Sequence, residues 1–235
     1  MHAWGFMSVR IQKFEIPTSP DLTFEFAMAA KGLFPIAGLD EAGRGAWAGP
    51  VCAGAVILPI DPDILQKLSG VRDSKQMKVK QREFWAGKIR HHAISWGTAF
   101  SDNEEIDQMG IIAATRLAMK RALAQLLPYP NYLLIDALRL SDVNLEQSAL
   151  IKGDQRSLSI AAASVLAKTT RDAWMREIEH SYPGYGFAQH KGYGTRLHQT
   201  SLETLGPTPI HRMSFKPRQR DLFHFQDHSR PILPD

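Results

Sequence analysis

The sequence has a single cysteine, no long apolar run, no internal repeat and no low-complexity stretch. Each absence excludes something. Cys52 has no second cysteine to pair with, so no intramolecular disulfide can form, and a reducing compartment fits better than a secreted one. Cys52 lies in an apolar strand pattern, where a small core side chain is the plainer reading and a catalytic thiol the sharper one. The apolar runs fall far short of the roughly 18 residues that cross a bilayer, so no membrane is expected as a partner. The first residues, Met1 to Arg10, carry Trp4, Phe6 and Met7 but no basic n-region and no long apolar core. A secretory signal is therefore not expected, and the expected location is the cytoplasm. No Gly-Lys-Ser/Thr closes the glycine-rich turn near residue 43, which excludes a Walker-type phosphate loop.

What remains is an ordinary globular composition, 44% hydrophobic and 22% charged, with a formal charge of +4 and a pI near 9.2. That balance permits nucleic-acid binding without requiring it. Residues 1 to 33, with Pro17 and Pro20, show no clear period and read as an extension holding a short helix near Leu22 to Ala30. Apolar runs at 34–39 and 51–58, joined by a glycine-rich loop, predict a hairpin. Helical spacing covers Val79 to His92, and Ala93 to Phe100 reads as a third strand. Ser101-Asp102-Asn103-Glu104 resembles a helix start, and Ile111 to Leu127 is a helical run stopped by Pro128.

Asn131 to Asp136 has the continuous apolar character of a strand buried on both faces. Ser148 to Lys152 is a short apolar segment, and Ser157 to His180 is the longest helix candidate. Its stretch Ile160-Ala-Ala-Ala-Ser164 predicts close packing on a sheet. The tail from Ser181 is rich in Gly, Tyr, His and Pro, with one helical patch near Thr195 to Leu205. Strands followed by interleaved strands and helices give an α/β class, a mixed sheet flanked by helices.

Four acids share one context. Asp40, Glu41, Asp136 and Asp154 each stand at or just past the end of an apolar segment, with glycine or alanine close by. A carboxylate there is costly unless it is paired or binds a cation, and ligands of open α/β sheets gather at strand ends. An oxygen-only set suits Mg²⁺ or Mn²⁺ and argues against zinc. Two such ions, about 4 Å apart, can activate a water and stabilise the leaving oxygen of a phosphodiester. Turn residues or helix caps would explain each acid singly. A glycosidase carboxylate pair is a further reading, but it leaves the basic turn Gly43-Arg44-Gly45 without a role.

Taken together, Asp40-Glu-Ala-Gly-Arg-Gly with Ala48-Gly-Pro-Val51, Asp73-Ser-Lys75, Ile135-Asp136, Lys152-Gly-Asp154, Ser159 to Lys168 with Arg171-Asp172, and His190-Lys-Gly-Tyr-Gly-Thr195 resemble bacterial ribonuclease HII, the type 2 ribonuclease H. The match runs in order over about 34 to 216 and includes His211-Arg212-Met-Ser-Phe215. The resemblance implies a ribonuclease H-like fold: a mixed five-stranded sheet flanked by helices, with a helical C-terminal region. It implies a catalytic domain over 34–216 between an N-terminal extension, 1–33, and a C-terminal tail, 217–235. The implied activity is hydrolysis of the RNA strand of RNA–DNA hybrids and incision 5′ of single ribonucleotides embedded in duplex DNA, leaving 3′-hydroxyl and 5′-phosphate ends. The partners are those two nucleic acids, and the expected state is a monomer.

By the same resemblance, Asp40, Glu41, Asp136 and Asp154 are catalytic and hold the Mg²⁺ or Mn²⁺ ions. Gly43, Arg44 and Gly45 match the loop that reads the ribose 2′-hydroxyl, the group that separates RNA from DNA. Tyr193 matches a tyrosine that stacks on the deoxyribose after the junction, and Ser74 and Lys75 match positions that contact backbone phosphates. Without the family, these would read as a plain hairpin loop, a surface tyrosine and a solvated lysine. His190, His198 and His211 are expected to be structural or to neighbour phosphates. Lys168, Arg171 and Asp172 read as a helix surface or a salt-bridged pair.

Two positions depart from the family pattern: Ala46-Trp47 stands where Pro-Leu is common, and Ala137 where many members have glycine. A type 3 enzyme is disfavoured because it lacks Gly-Arg-Gly and carries an N-terminal domain that 33 residues cannot form. Other functional classes remain distinguishable by experiment. An inert hybrid-binding protein would bind without cutting, and a two-metal nuclease of DNA junctions would also cut all-DNA duplexes. Asp221-Leu-Phe-His-Phe225 could serve a sliding clamp, but the motif is too degenerate to assign.

Overall fold

The computed structural model describes residues 16–215; the possible clamp motif at 221–225 lies outside them. Five strands form one sheet in the order β3-β2-β1-β4-β5: β1 (Ile36–Ala42), β2 (Val51–Ile57), β3 (Ser95–Ser101), β4 (Tyr132–Asp136) and β5 (Glu146–Leu150). The hairpin pairs β1 with β2 antiparallel, and β3 continues antiparallel beyond it. On the other side β4 and β5 join in parallel, so the sheet is mixed as expected. The first strand differs from expectation by running on through its acids: Asp40 pairs Gly54, Glu41 pairs Ala53 and Ala42 pairs Cys52. Backbone pairing does not depend on side-chain polarity, so the apolar pattern ended the strand too early.

Alternation along the strands divides the core into two layers. Ala37, Leu39, Val51, Ala53, Ala55 and Ile57 pack against α5 (Ile111–Leu123), while Val56 and Leu58 share a second cluster with α3 (Val79–His92) and α6 (Leu158–Glu177). The helix α6 lies almost on the sheet backbone. A Cβ at Gly38 would stand 2.2 Å from the Ser159 carbonyl carbon, and one at Gly54 would stand 2.4 Å from the Ala163 oxygen. The small residues of 160–164 and the two strand glycines are therefore one feature. Ser157 caps α6 by accepting from the Ile160 N–H.

The helix start expected at 101–104 is that of α4 (Asn103–Met109), and it is a capping box: Asp102 accepts from the Glu105 N–H at 2.8 Å and Glu105 from the Asp102 N–H at 3.1 Å. The run from Ile111 ends at Leu123, four residues before the expected Leu127. Gln125 leaves the helix and bonds both main-chain groups of Thr98 on β3. Short helices α2 (Asp63–Lys67) and α7 (Phe187–His190) were not evident from periodicity, being one turn or so long. The helix α8 (Arg196–Leu205), capped by Thr195, fulfils the patch expected there.

The helix α1 (Thr23–Ala29) matches the short helix expected near 22–30. Leu22 is buried, and buried Glu25 accepts from the Ser157 hydroxyl, the Ser159 hydroxyl and the Ser159 N–H at 2.6, 2.6 and 3.0 Å. This carboxylate from α1 thus satisfies N–H and O–H groups at the start of α6. Cys52 is fully buried and its thiol pKa is pushed up to about 12 by burial, as a core side chain's would be.

Candidate active site

The sheet places the acids. Asp40 and Glu41 are consecutive on central β1, and Asp136 is the last residue of its parallel neighbour β4. Beyond Asp136 the chain turns through Ala137 at φ 51°, whose N–H donates to Leu150 at the end of β5. After β5 it turns again through Lys152 at φ 54°, and the Gly153 N–H donates to the Asp136 carboxylate at 2.7 Å. These two left-handed turns bring Asp154, in a single turn of 3₁₀ helix at Gly153–Gln155, beside Asp136. Ala137 therefore takes the conformation that glycine adopts more readily.

The acids share one electrostatic neighbourhood that is short of positive charge. Burial, then Glu41 and Asp136, raise the Asp40 pKa well above the usual carboxylate range. Glu41 is raised by burial against the opposing pull of Arg44, which it pairs at 3.0 Å. Asp136 is raised by burial, and Asp154 is raised to about 6 by burial, then by Asp73 and Asp136. One oxygen of Glu41, Oε2, is buried without any hydrogen-bond partner. Among the described residues no three His, Cys, Asp or Glu side chains are gathered closely enough to hold an ion as they stand. Even so, the oxygen-only donor set, its unmet need for cationic charge and the orphaned Glu41 oxygen fit a hard divalent cation.

Lys75 supplies part of that charge. Its burial works against ionisation, but Asp40, Asp73, Asp154 and Asp136 more than offset it and the pKa is raised. Asp73 is a fifth acid that sequence reasoning left outside the site. It caps the short 3₁₀ turn Ser74–Gln76 by accepting from the Lys75 N–H at 3.0 Å. Ser74 is buried, with its hydroxyl 3.0 Å from that of Ser164 on α6.

Glu41 opens into a cleft of about 1010 Å³, bordered by Gly43, Arg44, Gly45, Ser74, Lys75 and Tyr193. Asp40, Asp136 and Asp154 are not among the residues that line it. Arg82, Lys168 and Lys191 also line the cleft and, with Arg44 and Lys75, make it basic. Tyr193 is joined to the glycine-rich loop by an antiparallel bridge to Ala46, and its ring lies 5.3 Å from the Lys168 ammonium and 5.5 Å from the Arg171 guanidinium. The flanking glycines serve close packing: a Cβ at Gly192 would stand 2.3 Å from the Ala48 oxygen, and one at Gly194 would stand 2.2 Å from the Trp47 ring.

The reading of 168–172 as a helix surface needs correction in part. The salt bridge is present, Lys168 to Asp172 at 2.8 Å, and Arg82 reaches the same carboxylate at 3.0 Å. Arg171, however, is fully buried, donating to the carbonyls of Pro50, Lys191 and Ala48 at 2.7, 2.9 and 3.1 Å. A guanidinium can satisfy several carbonyls at once, so its charge in the sequence did not reveal its burial. The three histidines are buried, and His198 touches both of the others. His190 and His198 stack at 4.3 Å between centroids, and His198 Nε2 lies 3.0 Å from His211 Nε2.

A mixed five-stranded sheet with carboxylates at the ends of its central strands, opening on a basic cleft, defines a ribonuclease H-like nuclease. Solved structures agree. The ribonuclease H2 of Pyrococcus horikoshii OT3 superposes with a TM-score of 0.65 at 26% identity, covering 77% of this chain and 93% of that one. A ribonuclease HII of Archaeoglobus fulgidus, solved in complex with PCNA, gives 0.64 at 26%, covering 76% and 92%. The ribonuclease HII family matches residues 37–218. The ribonuclease HII of a Synechococcus strain is 50% identical over 205 residues, covering 86% of this chain and 90% of its own length. That of Chloroflexus aurantiacus is 48% identical over 202 residues, covering 84% and 94%. The chain therefore belongs to the ribonuclease HII family, the ribonuclease H endonucleases that cleave the RNA strand of RNA–DNA hybrids.

Proposed function

We propose that this ribonuclease H also incises duplex DNA on the 5′ side of a single embedded ribonucleotide, using Mg²⁺ or Mn²⁺ and leaving 3′-hydroxyl and 5′-phosphate ends. The observation that carries the metal requirement is the set of four neighbouring acids whose pKa values are all raised, with Glu41 Oε2 unpartnered. Asp40, Glu41, Asp136 and Asp154 would hold the ions, which when bound supply an activated water and charge neutralisation at the phosphate. Lys75, Arg82, Lys168 and Lys191 steer and hold the nucleic-acid backbone along the cleft, a role that needs only positive charge at its rim. The loop Gly43-Arg44-Gly45 meets the ribose 2′-hydroxyl, and Tyr193 offers its ring to the next sugar. Ser74 would contribute by fixing the turn that carries Lys75, since its own hydroxyl faces Ser164.

The catalytic unit is proposed as 34–216, acting as a monomer. A cytoplasmic location is supported by the lone buried thiol, and no described helix is long and apolar enough to cross a membrane. The metal claim is tested by cleaving an RNA–DNA hybrid with each ion and with EDTA. Cutting that persists in EDTA on metal-stripped protein would contradict it.

A further inference from the structure

Arg212 is fully buried and ion-pairs with no carboxylate among the described residues. Its guanidinium donates instead to three carbonyls of one loop: Gly49 at 2.9 Å from Nε, Arg44 at 2.9 Å from Nη1 and Gly43 at 2.8 Å from Nη2. Its own N–H donates to Trp47 at 2.8 Å, so the residue spans the whole loop between β1 and β2. Burial lowers its pKa to about 9, and the loop carbonyls are its main solvation. A buried guanidinium with this few alternatives orients the dipoles around it strongly.

The consequence lies on the other edge of each peptide. In a trans peptide the N–H points opposite to the C=O of the same unit. The Gly43 carbonyl belongs to the unit bearing the Arg44 N–H, and the Arg44 carbonyl to the unit bearing the Gly45 N–H. Both carbonyls are drawn inward to Arg212, so both N–H groups are turned outward, where Gly43, Arg44 and Gly45 border the cleft. Neither N–H has an acceptor among the described residues.

We propose that Arg212 is a positioning residue for ribose recognition: by holding the Gly43 and Arg44 carbonyls inward, it presents the Arg44 and Gly45 N–H groups to the 2′-oxygen of a ribonucleotide. This rests on the substrate reading above. A merely structural anchor would support the fold without affecting the distinction between ribose and deoxyribose.

The test is binding without catalysis, by fluorescence anisotropy in EDTA, of a duplex with one ribonucleotide and of the same duplex in all-DNA form. The wild type should prefer the first about five- to tenfold, as one or two added hydrogen bonds would give. Arg212→Lys keeps the charge but not the fork. It should bind the all-DNA duplex like the wild type and lose the preference. A retained preference, or an equal loss for both duplexes, overturns the role of Arg212 alone. Equal wild-type affinity for both duplexes overturns the substrate reading and the proposal with it. Should Arg212→Lys fail to fold, amide exchange on the wild type decides. The Arg44 and Gly45 amides should be slowed by the ribonucleotide duplex and not by the all-DNA duplex, and equal slowing by both would overturn the proposal.

Discussion

His198 and His211 face each other through Nε2 atoms 3.0 Å apart, and a single proton must lie between them. The neighbours fix which nitrogen carries it. His211 Nδ1 accepts from the Thr208 N–H at 2.8 Å, so His211 Nε2 is the donor; His198 Nδ1 is then free to donate to the Tyr193 carbonyl at 3.1 Å. His190, stacked on His198, accepts from the Gly192 N–H at Nδ1 and donates to the Tyr185 carbonyl. All three rings are neutral, and the chain of bonds ends on the backbone of Tyr193.

Acid should therefore loosen this corner. Burial, with the neighbouring imidazoles, lowers the pKa of both His198 and His211 to about 4. An unfolded histidine titrates near 6.5, so between that pH and about 4 the unfolded chain binds more protons and stability falls as pH falls. The slope is about 1.4 kcal/mol per pH unit for each histidine. The cleft acids, with raised pKa values, act in the opposite sense. Urea unfolding of wild type and of His198→Gln at pH 7 and pH 5 isolates the histidine part, and the variant should lose less stability over that interval. Equal losses would contradict the neutral network.

Asp136 joins β4 to the turn carrying Asp154 through the Gly153 N–H. Asp136→Asn keeps an acceptor for that bond but removes the charge. Activity on an RNA–DNA hybrid should fall at least about 100-fold, the upper end for losing even an outer partner of a metal ligand. Duplex affinity, set by the basic rim, should stay close to that of the wild type in a gel shift.

Ala137 sits at φ 51°, where an alanine is strained by about 1 kcal/mol relative to glycine. Ala137→Gly relieves that strain and gives back part of the gain as added freedom in the unfolded chain. A net stabilisation of up to about 1 kcal/mol is expected in thermal denaturation, with cleavage unchanged. Destabilisation would mean that the methyl group packs usefully.

Gly38 lies beneath α6 with no room for a methyl group. Gly38→Ala would push the helix from the sheet and should destabilise by about 3 kcal/mol, seen as a lower urea midpoint. Because Asp40 is two residues along the same strand, activity measured below the melting transition should fall as well.

Much of this architecture was legible in the residues. The paired apolar runs, the helix start at 101–104 and the helical spacing of 79–92 each encode local structure directly. Asp136 and Asp154 could be marked because acids interrupt apolar segments, but only the left-handed turns at Ala137 and Lys152 show how they meet. Arg171 and Arg212 were not legible as buried groups. Periodicity treats arginine as surface, and all but one of the carbonyls that solvate these two, Lys191 being the exception, come from residues more than a hundred positions away. Glu25 was hidden for the same reason, since its partners at 157 and 159 belong to another helix. Asp73 was visible beside Ser74 and Lys75, and its closeness to Asp154 was the missing fact.

The most direct measurement is cleavage of an end-labelled DNA duplex carrying one ribonucleotide, with Mg²⁺ or Mn²⁺, beside the identical all-DNA duplex. A single metal-dependent cut on the 5′ side of the ribonucleotide, leaving a 3′-hydroxyl and a 5′-phosphate, is the predicted result. No cut at that position, from protein that cleaves an RNA–DNA hybrid in the same buffer, would contradict the account.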